Sequence, residues 1–235
     1  LWEYLLKFEI EIGFAHQSFK WENNAKGNAG VTCVIIGLRN PSNYPKYIFS
    51  NYKKSTHNIS PYLIDAPTLI VNKRNTRLSD LPEMVYGNMP LDGGFLKLNE
   101  HQKEELISMH PKAERLIRPL IGGAEFLRAI NRYCLWIEDD NLSFAKSIKQ
   151  IKRRIEGVYE FRKNGGDVAR TLVDKSHQFR YRKEAAKAFL VVPCTTSERR
   201  EYMQCGYFDS NYISMNSLQV IYDSELYIFS ILSSK

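Results

Sequence analysis

Cysteine is scarce in this chain. Its 235 residues contain four, Cys33, Cys134, Cys194 and Cys205, and no two of them lie at Cys-x-x-Cys spacing. That excludes a zinc finger and a disulfide framework. Three of the four sit in the apolar runs TCVII, YCLWI and VVPC, which predicts buried free thiols in a reducing compartment. No run of about eighteen apolar residues and no secretory leader occurs, so no membrane partner is expected and a cytoplasmic location is. A nucleotide or S-adenosylmethionine site needs a glycine turn between strand and helix. Gly122-Gly123 and Gly165-Gly166 do not follow strands in that way. There is no P-loop, no Ser-His-Asp spacing and no metal-ligand cluster, so this chain alone is expected to bind no cofactor and catalyse nothing. Acidic excess is absent too: 33 Lys and Arg face 26 Asp and Glu, for a net charge of +7 and a pI near 9.1. That excess is moderate and favours an anionic partner only weakly.

Hydrophobic residues make up 43% of the chain, enough for a core, and their patterning predicts a mixed α/β fold. LWEYLLKF at 1–8 fits a short amphipathic helix. In EIEIGFAHQSF the alternation places Ile10, Ile12 and Phe14 on one face of a strand. VTCVIIGL is continuously apolar and predicts a strand covered on both faces. Residues 41–60, with Pro41, Pro45, three tyrosines and Lys53-Lys54, read as a linker. This divides the chain into 1–40, a linker and 61–235. In GNMPLDGGFLKL a turn at Gly93-Gly94 precedes a short strand. Asn99-x-x-Gln102 resembles a capping box opening a helix that stops before Pro111. Residues 144–163 predict one amphipathic helix on Phe144, Ile148, Ile151, Ile155 and Val158, ended by Gly165-Gly166 as a glycine cap. AFLVVP, SMNSLQVIY and LYIFSIL predict strands. The chain opens inside a helical pattern without Met and stops after an apolar run, which reads as a fragment of a larger protein.

Three places invite a functional reading. Phe19 and Trp21 sit on a polar, basic tip between two strands, where exposed rings ask for a stacking partner. A nucleobase is one candidate, and a hydrophobic contact with a neighbouring domain is the other. The predicted 144–163 helix carries Arg153, Arg154 and Arg162, which suit phosphate contact and equally suit the solvated face of any helix. VPCTTSERREYM presents Ser197, Glu198, Arg199 and Arg200 after a buried strand. These side chains can hydrogen-bond base edges, or Ser197 can cap a helical turn with Glu198 behind it. Lys73 and Arg74 are lesser phosphate candidates. His16 and His57 are isolated and read as structural.

Several segments together resemble one family, the MmeI-like type IIL restriction–modification enzymes. They are IGFAHQSFKWENNAKGNAGVTCVIIGL, GNMPLDGGFLKL, RLIRPLIGGAEFLRAINRYCLWIED, and FLVVPCTTSERREYM running on to ISMNSLQVIYDSELYIFSILSS. The resemblance implies that residues 1–40 end an adenine-N6 DNA methyltransferase domain and that 61–235 form most of a target recognition domain reading double-stranded DNA. It implies S-adenosylmethionine as cofactor of the intact bacterial protein, bound by an upstream core in the same polypeptide. It implies that Phe19, with Trp21 as alternative, stacks on a flipped adenine, since the target amine is unreachable inside a duplex. The family's cofactor glycine motif and NPPY motif are absent from this chain. Asn40-Pro41-Ser42-Asn43-Tyr44 only superficially resembles the latter. A solitary methyltransferase without nuclease and a basic protein-interaction module stay open as alternatives.

Overall fold

The computed structural model describes residues 2–21, 31–74, 76, 79–197 and 200–234. The chain forms two compact units, residues 1–76 and 77–235.

The first unit holds helix α1 (Trp2–Leu6) and strands β1 (Glu11–Trp21), β2 (Val31–Arg39), β3 (Lys46–Phe49) and β4 (Lys53–Thr56). The sheet runs β2-β1-β3-β4, with β1 and β3 parallel and the other pairs antiparallel. Two of its strands thus lie where a linker was expected. One face packs Ile12, Ala15 and Ile48 against Ile59, Leu63 and Trp2. Two irregularities in β1 decide what the other face carries. Ile12 lies opposite Leu38 but Phe14 opposite Gly37, so the extra residue between them turns Phe14 away from Ile12. The expected shared face of Ile12 and Phe14 is therefore corrected: Ile12 is buried and Phe14 exposed. A second shift lies between His16 and Phe19, which face Ile35 and Cys33. It keeps His16 and Phe19 on one side, because opposed residues share a face. Strand β2 is not covered on both faces among the described residues: Val31, Val34, Ile35 and Leu38 are all exposed.

The second unit contains strands β5 (Val85–Tyr86) and β6 (Lys97–Leu98), helix α2 (Glu100–Met109), strand β7 (Ile117–Ile121), helix α3 (Gly123–Arg128) and strand β8 (Tyr133–Leu135). Helices α4 (Leu142–Ser147), α5 (Lys149–Lys163) and α6 (Asp167–Arg170) follow. Strands β9 (Ala188–Pro193), β10 (Gly206–Asp209), β11 (Ile213–Ser214) and β12 (Leu218–Tyr222) and helix α7 (Leu226–Ser233) complete it. Two sheets result, β10-β9-β12-β5 and β11-β7-β8-β6. The largest core packs Ile148, Ile151, Ile155 and Val158 against Leu96, Leu98, Leu116, Leu135 and Ile137. The Asn99–Gln102 capping box is present in full.

The structure departs from expectation at four further points. The 144–163 helix breaks at Ile148, which is extended (φ −91°, ψ 111°), giving α4 and α5. Asn164 caps α5 at φ −88°, so Gly165 is no left-handed cap. Its need is space, because an added Cβ would lie 2.8 Å from the Ala169 Cβ. LYIFSIL is a helix, α7, not a strand. A short unbroken apolar run carries no period to separate the two, and α7 lays Ile228 on Leu190 and Ile221. Finally, only Cys134 is buried among the four thiols. Cys194 is exposed, and Cys33 and Cys205 are intermediate. Desolvation raises the Cys134 thiol pKa well above its usual value.

Candidate nucleic-acid interface

In the first unit, register places Phe14, His16, Phe19 and Trp21 on one face of β1, and β3 adds Tyr47 and Phe49 beside Phe14 and His16. The rings fall into two groups on that face, Phe14, His16, Tyr47 and Phe49 in one and Phe19 with Trp21 in the other. His16 stacks on Phe49 at 4.5 Å, and Lys53 sits 3.9 Å over the Tyr47 ring. Phe14 lies over Gly37, where a Cβ would meet its ring at 2.1 Å. Phe19 and Trp21 form a pair beyond the second irregularity, 6.5 Å apart and tilted by 48°. Both belong to β1 and not to the turn in which the sequence reading placed them. Phe19 is half-buried and Trp21 is 54% exposed. Lys73 and Arg74 are exposed in irregular chain and make no ion pair among the described residues.

The three candidate arginines of α5 meet different fates. Arg153 is exposed. Arg154 is half-buried and donates from Nη1 to the carbonyls of Phe95 and Lys97, at 2.9 and 3.1 Å. Arg162 corrects the phosphate reading, because its side chain is 0% exposed. Its Nε bonds Leu91 O, its Nη1 bonds Leu172 O and Lys175 O, and its Nη2 bonds Pro90 O and Gln178 O. Those five bonds use every N–H of a guanidinium, so none is left for DNA. Burial pulls its pKa below the usual arginine value, opposed by the Asp92 carboxylate. The basic stretch after α6 is also engaged. Arg182 lies 4.3 Å over Trp136 and pairs with Glu138, and Lys183 lies 4.6 Å over Tyr222.

Residues 194–205 join β9 to β10 and stand at the end of their sheet. The base of this loop is fixed, with Cys194 N donating to Ser217 O at 3.1 Å. Farther out, the Gln204 side chain accepts from Thr196 Oγ1 at 3.1 Å and Arg200 Nη1 at 2.6 Å, and donates to Tyr202 O. Thr196, Ser197 and Arg200 are exposed. Glu198 and Arg199 lie outside the described residues. Arg200 N donates to Ser197 O at 3.1 Å, and residues 200–205 are not helical. Sequence reasoning missed Gln204 and also missed the basic residues Lys97 and Arg132, which line an open concavity with Arg154. A signal for Lys97 was present in KL of GNMPLDGGFLKL: Leu98 is buried, so strand alternation turns Lys97 outward.

Comparison with known proteins agrees with this geometry. DNA methyltransferase A of Bacillus subtilis (strain 168) is 38% identical over 238 residues, covering 100% of this chain and 27% of that protein. The structure of the type IIL restriction–modification enzyme MmeI in complex with DNA superposes with a TM-score of 0.83 at 35% identity, covering 100% of this chain and 32% of that one. This chain thus spans under a third of either relative. The MmeI DNA-methyltransferase domain family matches residues 1–50, and the MmeI target recognition domain family matches residues 65–235. The chain belongs to the MmeI family of target recognition domains, preceded by a segment of its methyltransferase domain.

Proposed function

We propose that this chain reads a short site on double-stranded DNA within a bacterial adenine-N6 DNA methyltransferase of restriction–modification type. The intact protein would act in the cytoplasm and use S-adenosylmethionine. In this reading residues 1–40 close the catalytic domain and 61–235 recognise the target. The observation that carries it is the loop at 194–205. Its Thr196, Ser197, Arg200 and Glu201 are exposed, and its base is hydrogen-bonded to the β11–β12 connection. Arginine, glutamate and serine on such a loop can form the paired hydrogen bonds that distinguish bases. Arg153, Lys73 and Arg74 serve as phosphate contacts, which position without specifying. Phe19, with Trp21 as alternative, stacks on the extruded adenine. Its support is a half-buried ring paired with exposed Trp21 on the same face of β1.

Sequencing the methylome of a host that carries the gene tests the proposal directly, since it reports the modified base and its motif together. Arg200→Ala is expected to change which motif is modified. An unchanged motif with a lower yield of folded protein would reduce the loop to a structural element. Phe19→Ala is expected to cut methylation while sparing DNA binding, because stacking contributes about 1–3 kcal/mol per base. Equal loss of both would return Phe19 to the core. A basic protein-interaction module is separated by salt. About six phosphate contacts lower affinity roughly a thousandfold between about 50 and 200 mM, and an affinity insensitive to salt would favour the module.

A further inference from the structure

Beside the reading loop lies an open concavity of about 550 Å³ whose wall includes Lys97, Arg132, Arg154, Glu125 and Ser217. Ser217 links its wall to the base of the loop. Ser217 O accepts from Cys194 N, the first residue after β9, and Asn216 O accepts from the Cys194 thiol at 3.7 Å. Ser217 Oγ in turn accepts from Gly123 N at 2.9 Å, fixing the wall to the start of α3.

The charges in this concavity are unequally matched. Arg132 faces Glu125 at 3.5 Å. Lys97 makes no ion pair among the described residues. Arg154 has its plane fixed by the two carbonyls it bonds through Nη1. Its Nε and Nη2 bond nothing among the described residues and are not sealed from solvent. Three cations and one carboxylate thus line the wall, and Glu105 adds a negative charge near Arg154 from outside it. A guanidinium held in a fixed plane beside a free ammonium suits one tetrahedral oxyanion.

We infer that this concavity seats a backbone phosphate of the same duplex whose bases the 194–205 loop reads, held by Lys97 and Arg154. Arg132, balanced by Glu125, shapes the wall and contributes less. The seat rests on the DNA reading proposed above and adds to it a sequence-independent anchor on a wall whose Ser217 also holds the base of the loop.

The test uses the protein as expressed from its own gene and duplexes bearing its modified motif. Lys97→Ala and Lys97→Gln should weaken binding to specific and unrelated duplexes by the same factor and leave the methylated motif unchanged. The slope of log Kd against log salt concentration should fall by about 0.9, the value for one lost phosphate contact. A scan replacing single phosphates by neutral methylphosphonates should find one linkage whose neutralisation weakens the wild type and not Lys97→Ala. An unchanged salt slope, or a scan without such a linkage, overturns the seat while leaving DNA recognition standing. Failure of the wild type itself to bind duplex DNA overturns both.

Discussion

Strands β2 and β9 are written in the same alphabet, VTCVIIGLR and AFLVVP, and meet opposite surroundings. β9 is central, between β10 and β12. Its Phe189 and Val191 pack with Leu218 and Val220 on one face, and its Leu190 packs with Ile221 and Ile228 on the other. β2 ends its sheet with β1 as its one partner, and Val31, Val34, Ile35 and Leu38 are exposed. A continuous apolar run states that a strand is suited to cover. It does not state where the cover comes from. For β9 the second unit supplies it. For β2 the described residues do not, and ion pairs along the paired edge do part of the holding. Arg39 reaches Glu11 at 2.7 Å and Lys46 reaches the same carboxylate at 2.7 Å, joining β2, β1 and β3.

The contrast can be broken by substitution. Leu190→Ala in β9 should cost about 2–5 kcal/mol in chemical denaturation, because a fully buried leucine leaves a cavity. A cost below about 1 kcal/mol would show that β9 is no better packed than β2. The next largest effect concerns Glu11. Burial favours its neutral form, but the hydrogen bonds and charges of Lys46 and Arg39 outweigh burial and lower its pKa from the ordinary 4.5. A folded pKa below the unfolded one adds stability that is fully present above the ordinary value and is lost as pH falls through the lowered one. The first unit should therefore lose stability below about pH 4.5. Glu11→Gln should remove that part of the pH dependence in a thermal melt, and an unchanged profile would dissociate the ion pairs from β2. The smallest effect is expected at Val34→Thr in this 235-residue chain, below about 0.5 kcal/mol for an exposed site. A larger loss would mean that the β2 face is covered after all.

How far the sequence could be read follows from the range of each signal. The capping box is local: Asn99 and Gln102 close it between themselves. The helical face of Ile148, Ile151, Ile155 and Val158 is periodic, and all four are buried. The family segments, quoted in chain order, point to the families that match 1–50 and 65–235. What escaped is set by partners distant in sequence. Arg162 looks like its neighbours Arg153 and Arg154 in any window, and only the carbonyls of 90–91 and 172–178 separate it from them. The irregularity between Ile12 and Phe14 in β1 shifts a period of two by one residue, which turns Phe14 outward against the simple alternation. α7 follows β12 after Asp223, at φ +53°, and its apolar run gives no warning of the change. The concavity with Lys97, Arg132 and Arg154 is assembled from β6, the residues before β8, and α5, so no sequence window contains it.

The guanidinium of Arg162 has a mechanical meaning beyond its own energy. Five bonds from one planar group lock the end of α5, the turn at 90–91 and the stretch 172–178 into a single rigid block. No other side chain has the same fork, so even lysine would leave carbonyls stranded there. The strands that flank the loop at 194–205 belong to a separate sheet, and bonds with Thr196, Arg200 and Tyr202 meet at the Gln204 side chain. Such an architecture uncouples the buried block from the outer part of the loop. A change at Arg162 unsettles three segments at once, whereas a change at Thr196 or Arg200 removes one bond to Gln204 and leaves that block intact.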